Sequence, residues 1–132
     1  MHRAGDKDVK NELRHLHLHL VSDATGETLL TVARAATAQY PGVSVIEHIH
    51  AMTRSPKQVE RILLDIEREP GIVLFTLVDR SIADPLEAGC RLIAVPCFSV
   101  LDPVLQVFQS YLGASSEGRA GAQHALDGDY FR

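Results

Sequence analysis

Residues 72–78, Ile-Val-Leu-Phe-Thr-Leu-Val, form a nearly unbroken apolar run between Glu69-Pro70-Gly71 and Asp79-Arg80-Ser81. A strand that is apolar on both faces needs cover on both faces, and a parallel sheet flanked by helices supplies that cover. The run is therefore placed as a central strand, and the remaining sequence has to provide its neighbours and its helices. The 132 residues, 45% of them hydrophobic, suffice for one domain with a sizeable core.

Punctuation divides the rest into strand and helix units. A first strand covers about His15 to Val21. Its helix carries Leu29, Val32, Ala33 and Ala36 on one face and stops at Tyr40-Pro41-Gly42. A second strand, Val43 to Ile49, leads to a helix with Ser55 as N-cap, Pro56 at its first position, Gln58 closing a capping box, and Val59, Ile62, Leu63 and Ile66 as its apolar stripe. Asp84-Pro85-Leu86-Glu87 repeats the cap and proline pattern and predicts a third helix running toward Ile93. A fourth strand, Ala94 to Val100, contains Pro96, which cannot donate to a ladder and so points to an edge or to the strand's first residues. Asp102 then caps a helix whose expected buried stripe is Val104, Leu105, Phe108, Tyr111 and Leu112, ended by Gly113.

The expected architecture is α/β: an open, mostly parallel four-stranded sheet with helices on both faces, of the Rossmann or flavodoxin type, plus a C-terminal tail. Residues 1–14 read as a flexible lead-in, 15–113 as the α/β domain, and 114–132 as a linker and strap too short to bury a core alone. Strand order is not readable from the sequence.

Charge and composition narrow the function classes. Thirteen basic against 17 acidic residues leave a net charge of −4 with no basic block, which argues against nucleic acid. No apolar run reaches the ~20 residues of a membrane span. Cys90 and Cys97 fit reduced thiols of a cytoplasmic protein rather than a disulfide framework.

The chemistry is expected where the first strand meets its helix, at Ser22-Asp23-Ala24-Thr25-Gly26-Glu27-Thr28. In open parallel sheets ligands bind beyond the carboxyl ends of strands, and a helix N-terminus presents unpaired N–H groups to an anion. Gly26 permits close backbone approach, Thr25 and Thr28 offer hydroxyls, and Asp23 orients them or holds a metal. The bland alternative is that Ser22, Asp23 and Thr25 merely cap the helix. Arg54 and Arg80, with Asp79, are second-rank phosphate or partner contacts near the same sheet edge. Asp23, Asp79 and Ser99 also mimic a receiver domain, but only one acid stands at the first turn and no fifth strand precedes the linker.

Five histidines alternate along two strands, His15, His17 and His19 on one and His48 and His50 on the next. At ~3.3 Å per residue His15 lies roughly 13 Å from His19. Only His19 is expected to meet the second strand's pair, so no metal site is expected.

The S-D-x-T-G-E-T run resembles the opening of the regulatory proteins of pyruvate, phosphate dikinase, more closely than that of the related phosphoenolpyruvate synthase regulators. Leu74-Phe75-Thr76-Leu77-Val78, Val100-Leu101-Asp102-Pro103, and Gln123-His124-Ala125-Leu126-Asp127 through Tyr130-Phe131-Arg132 agree with that family in kind and order. The resemblance runs from Leu16 onward and departs at Ala24, where the family commonly has serine. It implies a bifunctional Ser/Thr protein kinase and phosphorylase. Such an enzyme inactivates the dikinase by ADP-dependent threonine phosphorylation and reactivates it by phosphate-dependent dephosphorylation that yields pyrophosphate. It also implies ADP and inorganic phosphate as substrates, the dikinase as partner and a homodimer in full-length form. His124 and Asp127 would lie on the strap toward the nucleotide-binding kinase domain. The family's P-loop-like motif lies downstream of Tyr130-Phe131-Arg132, so this chain is expected to be the N-terminal domain, inactive and without bound ADP by itself. The alternatives are a non-catalytic dimerisation or docking module, or a receiver-like signalling domain.

Overall fold

A computed structural model describes residues 14–113. Four strands, β1 (His15–Ser22), β2 (Ser44–His50), β3 (Ile72–Thr76) and β4 (Cys97–Ser99), alternate with four helices, α1 (Glu27–Thr37), α2 (Pro56–Arg68), α3 (Arg80–Leu92) and α4 (Asp102–Leu112). The strands form one sheet in the order β2-β1-β3-β4, and every pairing is parallel. This is the α/β architecture expected, but both later strands are shorter: Ile72–Thr76 of the apolar run is the internal strand, with Leu77 and Val78 beyond it, and only Cys97–Ser99, after Pro96, forms the edge strand rather than Ala94 to Val100.

Alternation along β1 divides the core. Leu18 and Leu20 pack with Leu29 and Ala33 of α1 on one face. Val21 faces the other way, into a larger cluster with Val59, Ile62 and Ile66 of α2, Val73 and Phe75 of β3, and Ile82, Ala83, Leu86 and Cys90 of α3. Fully burying one such aliphatic side chain contributes about 1.5–3 kcal/mol, so the face carrying α2 and α3 holds most of the stability. The α1 face is thinly covered. An apolar groove of about 440 Å³ lies there, lined by Ala36, Tyr40, Val45 and Leu74 among others.

Three helices differ from their sequence patterns. On α1, Ala36 and Val32 are exposed, the latter 41%. The seated face is Leu29, Leu30 and Ala33, because Ala36 reaches the open groove. Helix α3 starts one turn earlier than the Asp84-Pro85 pattern predicts. Asp79 is the N-cap, accepting from the Ser81 amide at 2.9 Å and its hydroxyl at 2.7 Å, and Pro85 lies inside the helix. The Asp84 carboxylate is instead engaged by Arg80, which also reaches Glu87 and Asp102. On α4 no residue is buried: Phe108 is 58% and Tyr111 90% exposed, with Val104 and Leu112 also open and Leu105 half-buried. Its apolar stripe has the right period but no matching surface among the described residues. The Asp102 side chain does not cap it either. The Ser99 hydroxyl accepts from the Asp102 amide at 3.2 Å, while the Asp102 carboxylate pairs with Arg80.

The capping pattern at α2 holds, with one shift of partner. Ser55 Oγ accepts from the Gln58 amide at 3.2 Å, but Gln58 Oε1 accepts from the Arg54 amide rather than from Ser55's own. Both cysteines are free, Cys90 in the core and Cys97 half-buried. The lead-in before Arg14 and the strap after Gly113, with His124 and Asp127, lie outside the described residues.

Gly71 fixes how the chain leaves α2 and enters β3. A Cβ there would lie 1.8 Å from the His17 carbonyl oxygen, a backbone atom that cannot swing aside. Gly71→Ala is expected to cost at least the ~1–3 kcal/mol typical of overpacking, measured by urea denaturation. A control at the 87%-exposed Leu92 should stay within about 0.5 kcal/mol.

Candidate functional site

The strand order makes β1 the turning point of the sheet. The chain leaves β1 toward β2 on one side, while β3 and β4 build out on the other. A crevice opens at such a switch point, beyond the carboxyl ends of the two central strands. Ser22 and Thr76 are the last residues of those strands, paired in register and 1% exposed each. Thr76 Oγ1 donates to Ser22 Oγ at 3.2 Å, and the same oxygen accepts from the Ala24 amide at 3.0 Å. The Ser22 hydroxyl thus bends the chain out of β1.

The turn is fastened from the β2 side as well. Thr53 N–H donates to the Ser22 carbonyl at 2.8 Å and Met52 N–H to the Ala24 carbonyl at 2.9 Å. Met52 adopts a left-handed conformation at φ 54°, a region costly for a side chain of this kind, in order to turn its amide there. Arg54 Nε donates to the Asp23 carbonyl at 2.8 Å. These bonds draw the loop after β2 onto the first turn, a convergence that no spacing rule reveals.

Asp23, Thr53, Arg54, Leu77, Asp79 and Ile82 line a cavity of about 80 Å³ at this edge. Asp23 is 2% exposed. Arg54 and Asp79 lie at the exposed mouth, and the hydrogen bonds from the Ser81 hydroxyl and amide hold the Asp79 carboxyl below its usual range. On the other side of the turn, Ser22, Thr25, Gly26, Glu27, Thr28 and Thr76 border a smaller recess. Gly26, at φ 90°, is the N-cap of α1 and supplies no side-chain cap, while Thr25 Oγ1 stands a long 3.5 Å from the Glu27 amide. The Ser22 hydroxyl is spent on the Ala24 amide and on Thr76. The first turn of α1 keeps its N–H groups at the recess, in the arrangement that suits an anion.

The candidates separate accordingly. Asp23, Arg54 and Asp79 share one cavity, and Thr25, Gly26, Glu27 and Thr28 border the adjoining recess. Arg80 is drawn off into its three carboxylates on α3 and α4, an arrangement that sequence spacing could have shown for Asp84 and Glu87 at i+4 and i+7. Ser99 of the receiver-like layout is committed to the start of α4.

The histidines depart from expectation. His17, His19, His48 and His50 all project on the α2 face, and His17 as well as His19 meets β2. His17 Nδ1 lies 2.8 Å from His48 Nε2, and His19 Nδ1 lies 3.2 Å from His50 Nε2. Estimating distance along one strand missed that parallel register sets His19 beside His48, so diagonal partners fall within reach. His19 is fully buried and donates from Nε2 to the Glu69 carbonyl at 2.8 Å. Burial, with His48 and His17 nearby, pushes its pKa down, and burial likewise lowers that of His50 beside His19.

A parallel α/β sheet with a polar switch-point turn is the frame of many phosphate-handling proteins. The chain belongs to the kinase/pyrophosphorylase family, whose profile matches residues 18–132. It is 58% identical over 119 residues to a protein of Nitrobacter winogradskyi, covering 90% of this chain and 42% of that protein. Relatives from Bradyrhizobium sp. and Rhodopseudomonas palustris are 55% and 54% identical, each match covering 89% of this chain and 42% of the relative. All three are named "Putative pyruvate, phosphate dikinase regulatory protein". The chain thus spans about two fifths of the length of the relatives it matches.

The junction of Ser22 and Thr76 is open to a direct test. Ser22→Ala and Thr76→Val should each cost about 1–3 kcal/mol by stranding a buried polar partner. The double variant should cost less than the sum, with a coupling of at least about 0.5 kcal/mol in urea denaturation. Additive costs would mean that the hydroxyls do not interact.

Proposed function

We propose that residues 15–113 are the N-terminal α/β domain of a regulator of pyruvate, phosphate dikinase, a protein Ser/Thr kinase and phosphate-dependent phosphorylase. The supporting observation is the 53–58% identity to proteins that bear that regulatory name, joined to a polar crevice at the sheet's switch point. In this reading the regulator works in the cytoplasm. It transfers a phosphoryl group from ADP to a dikinase threonine, and removes it with inorganic phosphate to release pyrophosphate.

The role assigned to this domain is to receive the anionic or phosphorylated part of the reaction at the first turn. The α1 N–H groups and the Thr25 and Thr28 hydroxyls are donors to phosphate oxygens, and Arg54 adds a positive charge at the mouth. Asp23 would repel a bare phosphate. Its place in the cavity suits a threonine hydroxyl, which it can hold by accepting the hydroxyl proton. ADP is assigned to the nucleotide-binding part of the full-length enzyme, because no G-x-x-x-x-G-K-[ST] pattern occurs in these 132 residues.

A second reading is a docking or dimerisation module without reacting groups. The exposed apolar side chains of α4 favour it, since Val104, Phe108, Tyr111 and Leu112 form a stripe that no described residue covers.

Two expectations distinguish these readings. In a full-length enzyme carrying this domain, Asp23→Asn and Thr25→Ala should each lower kcat/KM in both directions by at least about tenfold, ~1.4 kcal/mol of transition-state stabilisation. A loss confined to KM for the dikinase would favour docking, and unchanged kinetics would remove the turn from the mechanism. The 132-residue chain alone should give no saturable heat with ADP in titration calorimetry. Micromolar affinity would overturn the assignment of ADP to another part of the enzyme.

A further inference from the structure

On the opposite side of β1 from α1, and toward the start of the strand, three donor atoms converge that the proposed chemistry does not use. They are His17 Nδ1, His48 Nε2 and a Glu69 carboxylate oxygen, all within 4.8 Å of one another. His17 Nδ1 lies 2.8 Å from His48 Nε2 and 3.8 Å from Glu69 Oε2. Both histidines are half-buried while the Glu69 side chain is 51% exposed, so the group is walled on the protein side and open to solvent on the other.

We propose that His17, His48 and Glu69 form a binding site for a divalent transition metal of zinc type, with solvent completing the coordination. Two imidazole nitrogens and one carboxylate match the borderline donor preference of zinc and not the all-oxygen preference of magnesium or calcium. Nitrogen ligands at 2.0–2.1 Å from zinc stand about 3.3 Å apart at a tetrahedral angle, so the observed pair needs to open by only about 0.5 Å. His17 and His48 face each other through nitrogens that share one proton between them. Binding requires only that whichever ring carries that proton move it to its other nitrogen. Neutral histidines then bind without net proton release.

The surroundings hold these ligands in place. His19 donates from Nε2 to the Glu69 carbonyl, which fixes its Nδ1 as the acceptor for His50 Nε2–H. The His19 ring also stacks on His48, with centroids 4.5 Å apart and planes at 12°. One buried ring therefore tethers the backbone of one ligand and orients the ring of another, the usual task of an outer-shell partner. Gly71, two residues after Glu69, lets that turn lie directly on the His17 backbone. His17 is five residues from Ser22, roughly 16 Å along the strand, so this site is separate from the switch-point crevice. A metal here would clamp the edge strand β2 and the end of α2 onto β1.

The test uses the untagged 132-residue chain, stripped with chelator and titrated with Zn²⁺ by calorimetry and with Co²⁺ by visible absorption. One saturable site per chain is expected, with a cobalt spectrum lacking thiolate bands and a rise in melting temperature on zinc addition. Glu69→Gln and His48→Gln should each weaken zinc binding by about tenfold or more, while His15→Gln on the same strand should not change it. Glu69 is exposed, so its variant tests ligation even if His48→Gln fails to fold. Absence of saturable binding, cobalt bands from Cys90 or Cys97, or affinity unchanged in Glu69→Gln would each overturn the proposal.

Discussion

The parallel ladder on both edges of β1 is the constraint from which the rest of this domain follows. β1 pairs with β2 from His15 to Val21 and with β3 from Leu18 to Ser22, so from Leu18 to Val21 it is paired on both edges and its direction sets that of the sheet. Its side chains then have no freedom of assignment. Leu18 and Leu20 must face α1, and His17, His19 and Val21 must face the α2 side. A one-residue slip would put three histidines among the leucines of the α1 face and bare Leu18 and Leu20 to the other.

The two ends of β1 serve different purposes. At the carboxyl end, pairing brings Ser22 beside Thr76, and the loop after β2 folds over both through Met52, Thr53 and Arg54. The result is a crevice whose walls come from three separate loops, with the start of α1, capped by Gly26 without a side chain, on one side. Toward the amino end, the same ladder gathers four imidazoles, with His19 stacked between His48 and His50, and places them under the turn that closes α2. No described helix is long and apolar enough to cross a membrane.

Features decided within a few residues are legible in the amino-acid order itself. Ser55, Pro56 and Gln58 mark the start of α2, and the apolar 72–78 run marks an internal strand, because caps and strand periodicity depend only on near neighbours. Features decided by pairing are not legible in that way. Asp84-Pro85 has the look of a helix start, yet Asp79 caps earlier, because Arg80 claims the Asp84 carboxylate from within the same helix. The stripe on α4 predicts burial, which needs a matching surface as well as a period. The histidines alternate visibly, but their meeting depends on the register of β1 against β2. Of the first turn, the residues are readable and their partners are not. Arg54 lies 31 positions from Asp23, and only the strand order 2-1-3-4 brings them together.

In the function proposed above, the switch-point turn receives the dikinase. Hydrogen exchange of a full-length enzyme carrying the domain, followed by mass spectrometry with and without pyruvate, phosphate dikinase, tests it most directly. Slowed exchange on dikinase binding is expected at residues 22–28, 52–54 and 77–80. Protection confined to residues 102–112 of α4, with the first turn unchanged, would contradict it and leave the domain a docking module.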